Sequence, residues 1–255
     1  MPERERARLL VMVTGSTVPE VQVRYGGFDV LFPEHLTRGF APDRKPDIDV
    51  LDIQVHKPGD RFPDLGRYDG VAITGSPARI GDMTPWMVYG VTLLQEILKK
   101  EIPLLAVCFG HQMLGKAFNA DVGPNPAGYT IGTFDVNLDV DSSDPLLGDL
   151  DGKLSVNGSH LDAIRSAGPH LKVIGTADHD ACHVVKAGPR TWGVQFHPEF
   201  TANIVSAYIR ARTELINSHH GPGAATKRLE AVQQTPASMG LLGRFADLCV
   251  DWAGY

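Results

Sequence analysis

The chain has few cysteines, few aromatic residues and no excess of positive charge. Its 255 residues include three cysteines and 7% aromatics, and the formal net charge is −6. Cys108, Cys182 and Cys249 form an odd, scattered set with no CxxC pair. That argues against a disulfide framework and a structural zinc site, and it suits a reduced, cytoplasmic protein. Without a basic surface, neither nucleic acid nor an anionic membrane is an expected partner. No apolar run approaches the roughly 20 residues of a membrane span. The first six residues carry both signs of charge with no secretory apolar segment behind them. His179, His183, His219 and His220 show no ligand spacing with nearby carboxylates, so neither metal nor cofactor is expected. Cys182-His183 falls mid-strand and reads as structural.

What is present is an ordinary globular composition, 43% hydrophobic and 21% charged, enough for one large α/β domain with or without an appendage. Strand patterns cover Leu9 to Thr14, Ile48 to Val55, Tyr68 to Thr74 and Pro103 to Val107. Helical spacing marks Phe28 to Leu36, Pro85 to Lys100 and the segment after Cys108 up to about Asn119. Such alternation predicts a mostly parallel sheet covered on both faces, with the ligand beyond the strand C-terminal ends. After Ala120 the pattern changes. Tyr129 to Val140, Lys153 to Val156, Leu171 to Thr176, Ala181 to Lys186 and Thr191 to His197 read as short strands of an antiparallel portion. Ala202 to Asn217 reads as a helix, and His219-His220-Gly221-Pro222-Gly223 as a break. Two short helices follow, with Leu241, Leu242, Phe245, Leu248 and Trp252 on one apolar face. The expected division is a main domain over 1–218 and a helical extension over 219–255.

Cys108 follows a buried strand and opens a helix, with small residues at Ala106 and Gly110. This is a nucleophile elbow, and the positive helix end favours a thiolate there. Acyl transfer through a thiol also needs a base, a group that orients the base, and oxyanion donors. His197, at the end of a strand-like run, supplies the base. Glu199, two positions on past Pro198, can fix its tautomer. The Phe109 N–H and the backbone of Gly75-Ser76 are the oxyanion candidates. Gln112, one turn beyond Cys108, reaches over the site.

Pro103-Leu104-Leu105-Ala106-Val107-Cys108-Phe109-Gly110-His111-Gln112, together with Gly193-Val194-Gln195-Phe196-His197-Pro198-Glu199-Phe200, resembles the class I (triad-type) glutamine amidotransferases. Ile73-Thr74-Gly75-Ser76-Pro77 is similar to that family's oxyanion strand, with Ser76 in place of its usual second glycine. Asn157-Gly158-Ser159-His160-Leu161-Asp162 is similar to its substrate loop. The stand-alone relatives of the GMP synthase amidotransferase half, including γ-glutamyl peptidases, are nearest in flavour. The resemblance implies a flavodoxin-like three-layer fold. It implies hydrolysis of a γ-glutamyl amide through a cysteine thioester, with Gln112, Ser159, His160 and Leu161 binding the glutamyl group. It also implies ammonia transfer to a synthetase. The ~40 residues after His219 fall short of a nucleotide-binding domain, so a synthetase would be a separate partner. The alternatives are a γ-glutamyl peptidase or transferase acting alone, and a non-catalytic binding protein that keeps the fold.

Overall fold

The structure, a computed structural model, describes residues 5–150 and 152–255. Its first part runs β1 (Arg8–Val13), α1 (Pro19–Tyr25), α2 (Phe28–Thr37), β2 (Asp47–Asp52), β3 (Gly70–Ile73), α3 (Pro85–Lys99), β4 (Leu104–Val107) and α4 (Phe109–Ala117). Strands then dominate: β5 (Asp121–Pro124), β6 (Thr130–Leu138), β7 (Gly152–His160), β8 (Asp162–Ser166), β9 (Lys172–Ala177), β10 (Asp180–Lys186) and β11 (Thr191–Val194). The helices α5 (Ala202–Ala211), α6 (Thr213–His220), α7 (Ala224–Glu230), α8 (Pro236–Met239) and α9 (Leu241–Ala253) follow.

Nine strands form one sheet in the order β2-β1-β3-β4-β11-β10-β9-β6-β7, while β5 and β8 pair separately. From β2 across to β11 the neighbours are parallel. From β11 to β7 they are antiparallel. This is the expected α/β architecture with an antiparallel portion added to a parallel part.

Strand alternation divides the core in two. Leu9, Val11 and Val13 of β1, Leu105 and Val107 of β4, and Trp192 and Val194 of β11 face one side. On that side they meet Phe28, Leu31, Phe32 and Leu36 of α2 and the apolar face of α9. Leu10 and Met12, with Leu104 and Ala106, face the other side and pack on α3 and α4. The last helix therefore fills the main core. Leu241, Leu242, Phe245, Ala246, Cys249 and Val250 are all buried, and Trp252 stacks on Trp192 with ring centroids 6.3 Å apart.

Several elements differ from the sequence reading. β2 stops at Asp52, because its carboxylate accepts the Gln54 N–H at 2.9 Å. That cap starts a 3-10 turn over Ile53–Val55 in place of three more strand residues. Asn157 to His160, expected in a loop, are the end of β7, paired with β6 from Thr130↔His160 onward. One expected helix over 202–217 is two, broken at Arg212 (φ −116°, ψ 18°), and the second runs on to His220, where Gly221 at φ 88° ends it. The C-terminal region holds three helices where two were expected. α1, with only Val21 buried, and the four-residue β5, with Gly123 and Pro124 in it, carry too little periodicity to be read in advance. Among the described residues, no helix is long and apolar enough to cross a membrane.

Candidate active site

β3, β4 and β11 are adjacent and parallel. Their C-terminal ends therefore bring Gly75, Cys108 and His197 to one edge of the sheet. Cys108 sits between β4 and α4 at φ 52°, ψ −102°, a conformation that costs a residue with a Cβ about 1–3 kcal/mol. Backbone bonds on both sides hold it there. Its N–H donates to the Val194 carbonyl at 2.8 Å, the Gly110 N–H to Thr74 at 3.1 Å, and the Gln112 N–H to Cys108 itself at 3.0 Å. The turn needs glycine at 110, since a Cβ there would stand 2.9 Å from the Ile73 carbonyl oxygen.

His197 and Glu199 are both buried. The His197 N–H donates to the Asn157 carbonyl at 2.9 Å, and its Nδ1 lies 2.6 Å from Glu199 Oε1. The imidazole stacks with two aromatic rings. Phe200 stacks at 4.0 Å and Phe28 at 6.1 Å, both nearly parallel to it. Burial alone would lower the His197 pKa. The Glu199 carboxylate and the Cys108 sulfur outweigh that and raise it to about 10. An imidazole held this way carries its proton through the neutral range.

Cys108 and His197 open onto a cavity of about 410 Å³, within the size range of small-molecule sites. Ser76, Gln112, Ser159, His160 and Leu161 line it, as do Arg79, Tyr129, Asp162, Tyr208 and Arg212. Each candidate from the sequence has a definite place. Gly75 lies against the His197 ring, where a Cβ would come within 2.6 Å of Cε1. The Phe109 side chain is buried in the opposite core half, 5.5 Å from the Trp86 ring, and leaves its N–H at the start of α4. Gln112 is buried, and its Nε2 donates to the Asp162 carbonyl at 2.7 Å and to Gln195 Oε1 at 3.3 Å. That amide nitrogen therefore ties α4 to β8. The Ser159 carbonyl accepts from the Cys108 thiol at 3.8 Å, and its hydroxyl shares a 2.7 Å bond with Tyr129. His160 is buried, with Nδ1 bonded to the Asp162 carbonyl at 3.1 Å, and burial lowers it to about 3. Leu161 joins β7 to β8.

The sequence did not point to the stacking of Phe28 and Phe200 on His197, since their spacing is that of ordinary core residues. It also did not point to Arg79, which grips the Asp162 carboxylate through Nη2 at 2.7 Å and Nε at 3.4 Å. His179 and His183 show no ligand pattern by spacing, but the end of β7 brings His160 to them, and the three form one cluster.

Residues 44–212 match the family model described as glutamine amidotransferase class-I. The chain is 34% identical over 139 residues to a glutamine-hydrolyzing GMP synthase subunit of Ignicoccus hospitalis, covering 54% of this chain and 70% of that protein. It is 25% identical over 206 residues to gamma-glutamyl peptidase 5 of Arabidopsis thaliana, covering 80% of this chain and 79% of the relative. A glutamine amidotransferase crystal structure from Thermotoga maritima shares the fold with a TM-score of 0.72 at 23% identity, over 98% of this chain and all of that one.

Proposed function

The chain belongs to the class I glutamine amidotransferase family, and from that premise and the site geometry we propose that it hydrolyses a γ-glutamyl amide through a Cys108 thioester. The observation that carries this reading is the Cys108 elbow beside His197, whose Nδ1 is bonded to Glu199 at 2.6 Å. Cys108 is the nucleophile, His197 the proton carrier and Glu199 the group that orients it. The Cys108 sulfur attacks the side-chain amide carbon, and a C–S bond forms. The carbonyl oxygen takes the negative charge and is met by the backbone of Phe109 and of Gly75-Ser76. His197 then gives its proton to the leaving nitrogen, the C–N bond breaks and ammonia or an amine departs. Water, deprotonated by His197, attacks the thioester, and the C–S bond breaks to release the γ-carboxylate.

The cavity lining suits a glutamyl group. Its α-ammonium needs an acidic partner and its α-carboxylate a basic one, and the wall provides Asp162 with Arg79 and Arg212. Gln112, Ser159, His160 and Leu161 are the remaining candidates for holding it. Ammonia would pass to a separate synthetase protein, as similarity to the GMP synthase of Ignicoccus hospitalis suggests. A second reading, cleavage of γ-glutamyl peptides without a synthetase, is favoured by the γ-glutamyl peptidase match across 80% of the chain. Ammonia release from glutamine, measured beside amine release from a panel of γ-glutamyl dipeptides, separates the two. Faster turnover of glutamine supports the first, and faster turnover of the dipeptides the second. Turnover of neither by the folded chain would defeat both.

A further inference from the structure

We propose that His160, His179 and His183 form a binding site for one divalent transition-metal ion of the zinc class. Each contributes one ring nitrogen, and the three nitrogens lie within 4.8 Å of one another. They come from separate places: the end of β7, the turn between β9 and β10, and the middle of β10. The Nε2 atoms of all three are buried without a hydrogen-bond partner. Buried polar atoms are rarely left unpaired, and three together mark a place suited to holding a ligand.

The opposite ring edges show how such a site would be supported. His160 Nδ1 bonds the Asp162 carbonyl at 3.1 Å, and His183 Nδ1 bonds the Asp180 carboxylate at 3.2 Å. An acceptor at Nδ1 keeps the proton there and turns the Nε2 lone pair inward, the arrangement in which histidine binds metal. Phe134 packs edge-on against both His179 and His183, and Phe196 stacks on His183. Three imidazole nitrogens suit zinc, cobalt, nickel or copper, whereas calcium and magnesium require oxygen ligands. Zinc–nitrogen bonds of about 2.0–2.1 Å bring tetrahedral ligands to about 3.4 Å apart. The cluster must therefore contract, and His179, half-buried in a turn, is the ligand with room to move.

The group stands apart from the cysteine chemistry. Only His160 borders the cavity, one residue beyond the carbonyl that faces the Cys108 thiol. The test therefore uses an untagged, chelator-stripped chain carrying Cys108→Ser, so that no thiol–imidazole pair competes for metal. Cobalt(II) is titrated in and followed by visible absorption, and zinc(II) by calorimetry. The expected result is one cobalt per chain with d–d bands, displaced by one equivalent of zinc. His179→Gln, in a turn and therefore compatible with folding, should abolish the bands and weaken zinc binding at least tenfold. Asp180→Asn should weaken it about 10–100-fold. Absence of stoichiometric binding, or a full equivalent bound unchanged by the folded His179→Gln chain, would overturn the proposal.

Discussion

Gly75 and His197 meet so closely that a methyl group on Gly75 would stand 2.6 Å from the imidazole Cε1. The ring has little freedom to retreat, because Phe200 stacks on it at 4.0 Å. Glycine at 75 is thus a steric condition for the placement of His197, beyond any part its backbone takes at the oxyanion. Gly75→Ala should lower kcat by about 100-fold, the cost of a displaced catalytic group, while the far-ultraviolet circular dichroism stays native. Parental kcat in that variant would show that the contact does not constrain the base.

Glu199→Gln tests the electrostatics. His197 is held at about 10, above its ordinary 6.5. The charged pair therefore contributes fully below pH 6.5 and is lost as pH rises through about 10. kcat/KM should show an alkaline limb near pH 10. With the carboxylate gone, burial dominates and the limb moves to lower pH, together with a lower kcat. A pH–rate profile whose alkaline limb is the same in both proteins would contradict the assignment.

Asp162→Asn tests recognition. The variant loses the ion pair that fixes Arg79 over the cavity. KM for glutamine should rise about 10- to 100-fold, the worth of a charged hydrogen bond, with a smaller change in kcat. Steady-state kinetics read both parameters, and an unchanged KM removes this pair from substrate binding.

Phe245→Ala tests whether α9 belongs to the cooperative core. Phe245 is fully buried among α2 and sheet residues, so the change should cost about 3–5 kcal/mol. Urea unfolding should remain a single transition with a lower midpoint. A main transition left at its parental midpoint would show that α9 melts by itself.

Much of this molecule was legible in the chain because the signals were local. The run Leu104–Val107 followed by Cys108 and a helical pattern describes the elbow in consecutive residues, and Pro198 holds Glu199 near His197. The features that escaped depend on partners distant in sequence. Asn157 to His160 are strand because β6 lies beside them. On β10, Cys182 and Val184 stand two apart yet pack in opposite core halves, because a register shift intervenes between Asp180 and Val184. Phe28 and Phe200 look like any other core aromatics until the fold stacks the His197 imidazole against both. Three histidines from three places meet only after the sheet is assembled.

The most direct test of Cys108 as the nucleophile is covalent. A chloroketone or diazoketone analogue of glutamine is mixed with the folded chain at neutral pH, and intact mass and peptide mapping are followed over time. The expected result is one equivalent of label, on Cys108 alone, slowed by free glutamine and abolished by His197→Ala. No label, or label on Cys182 or Cys249 with Cys108 untouched, would contradict it.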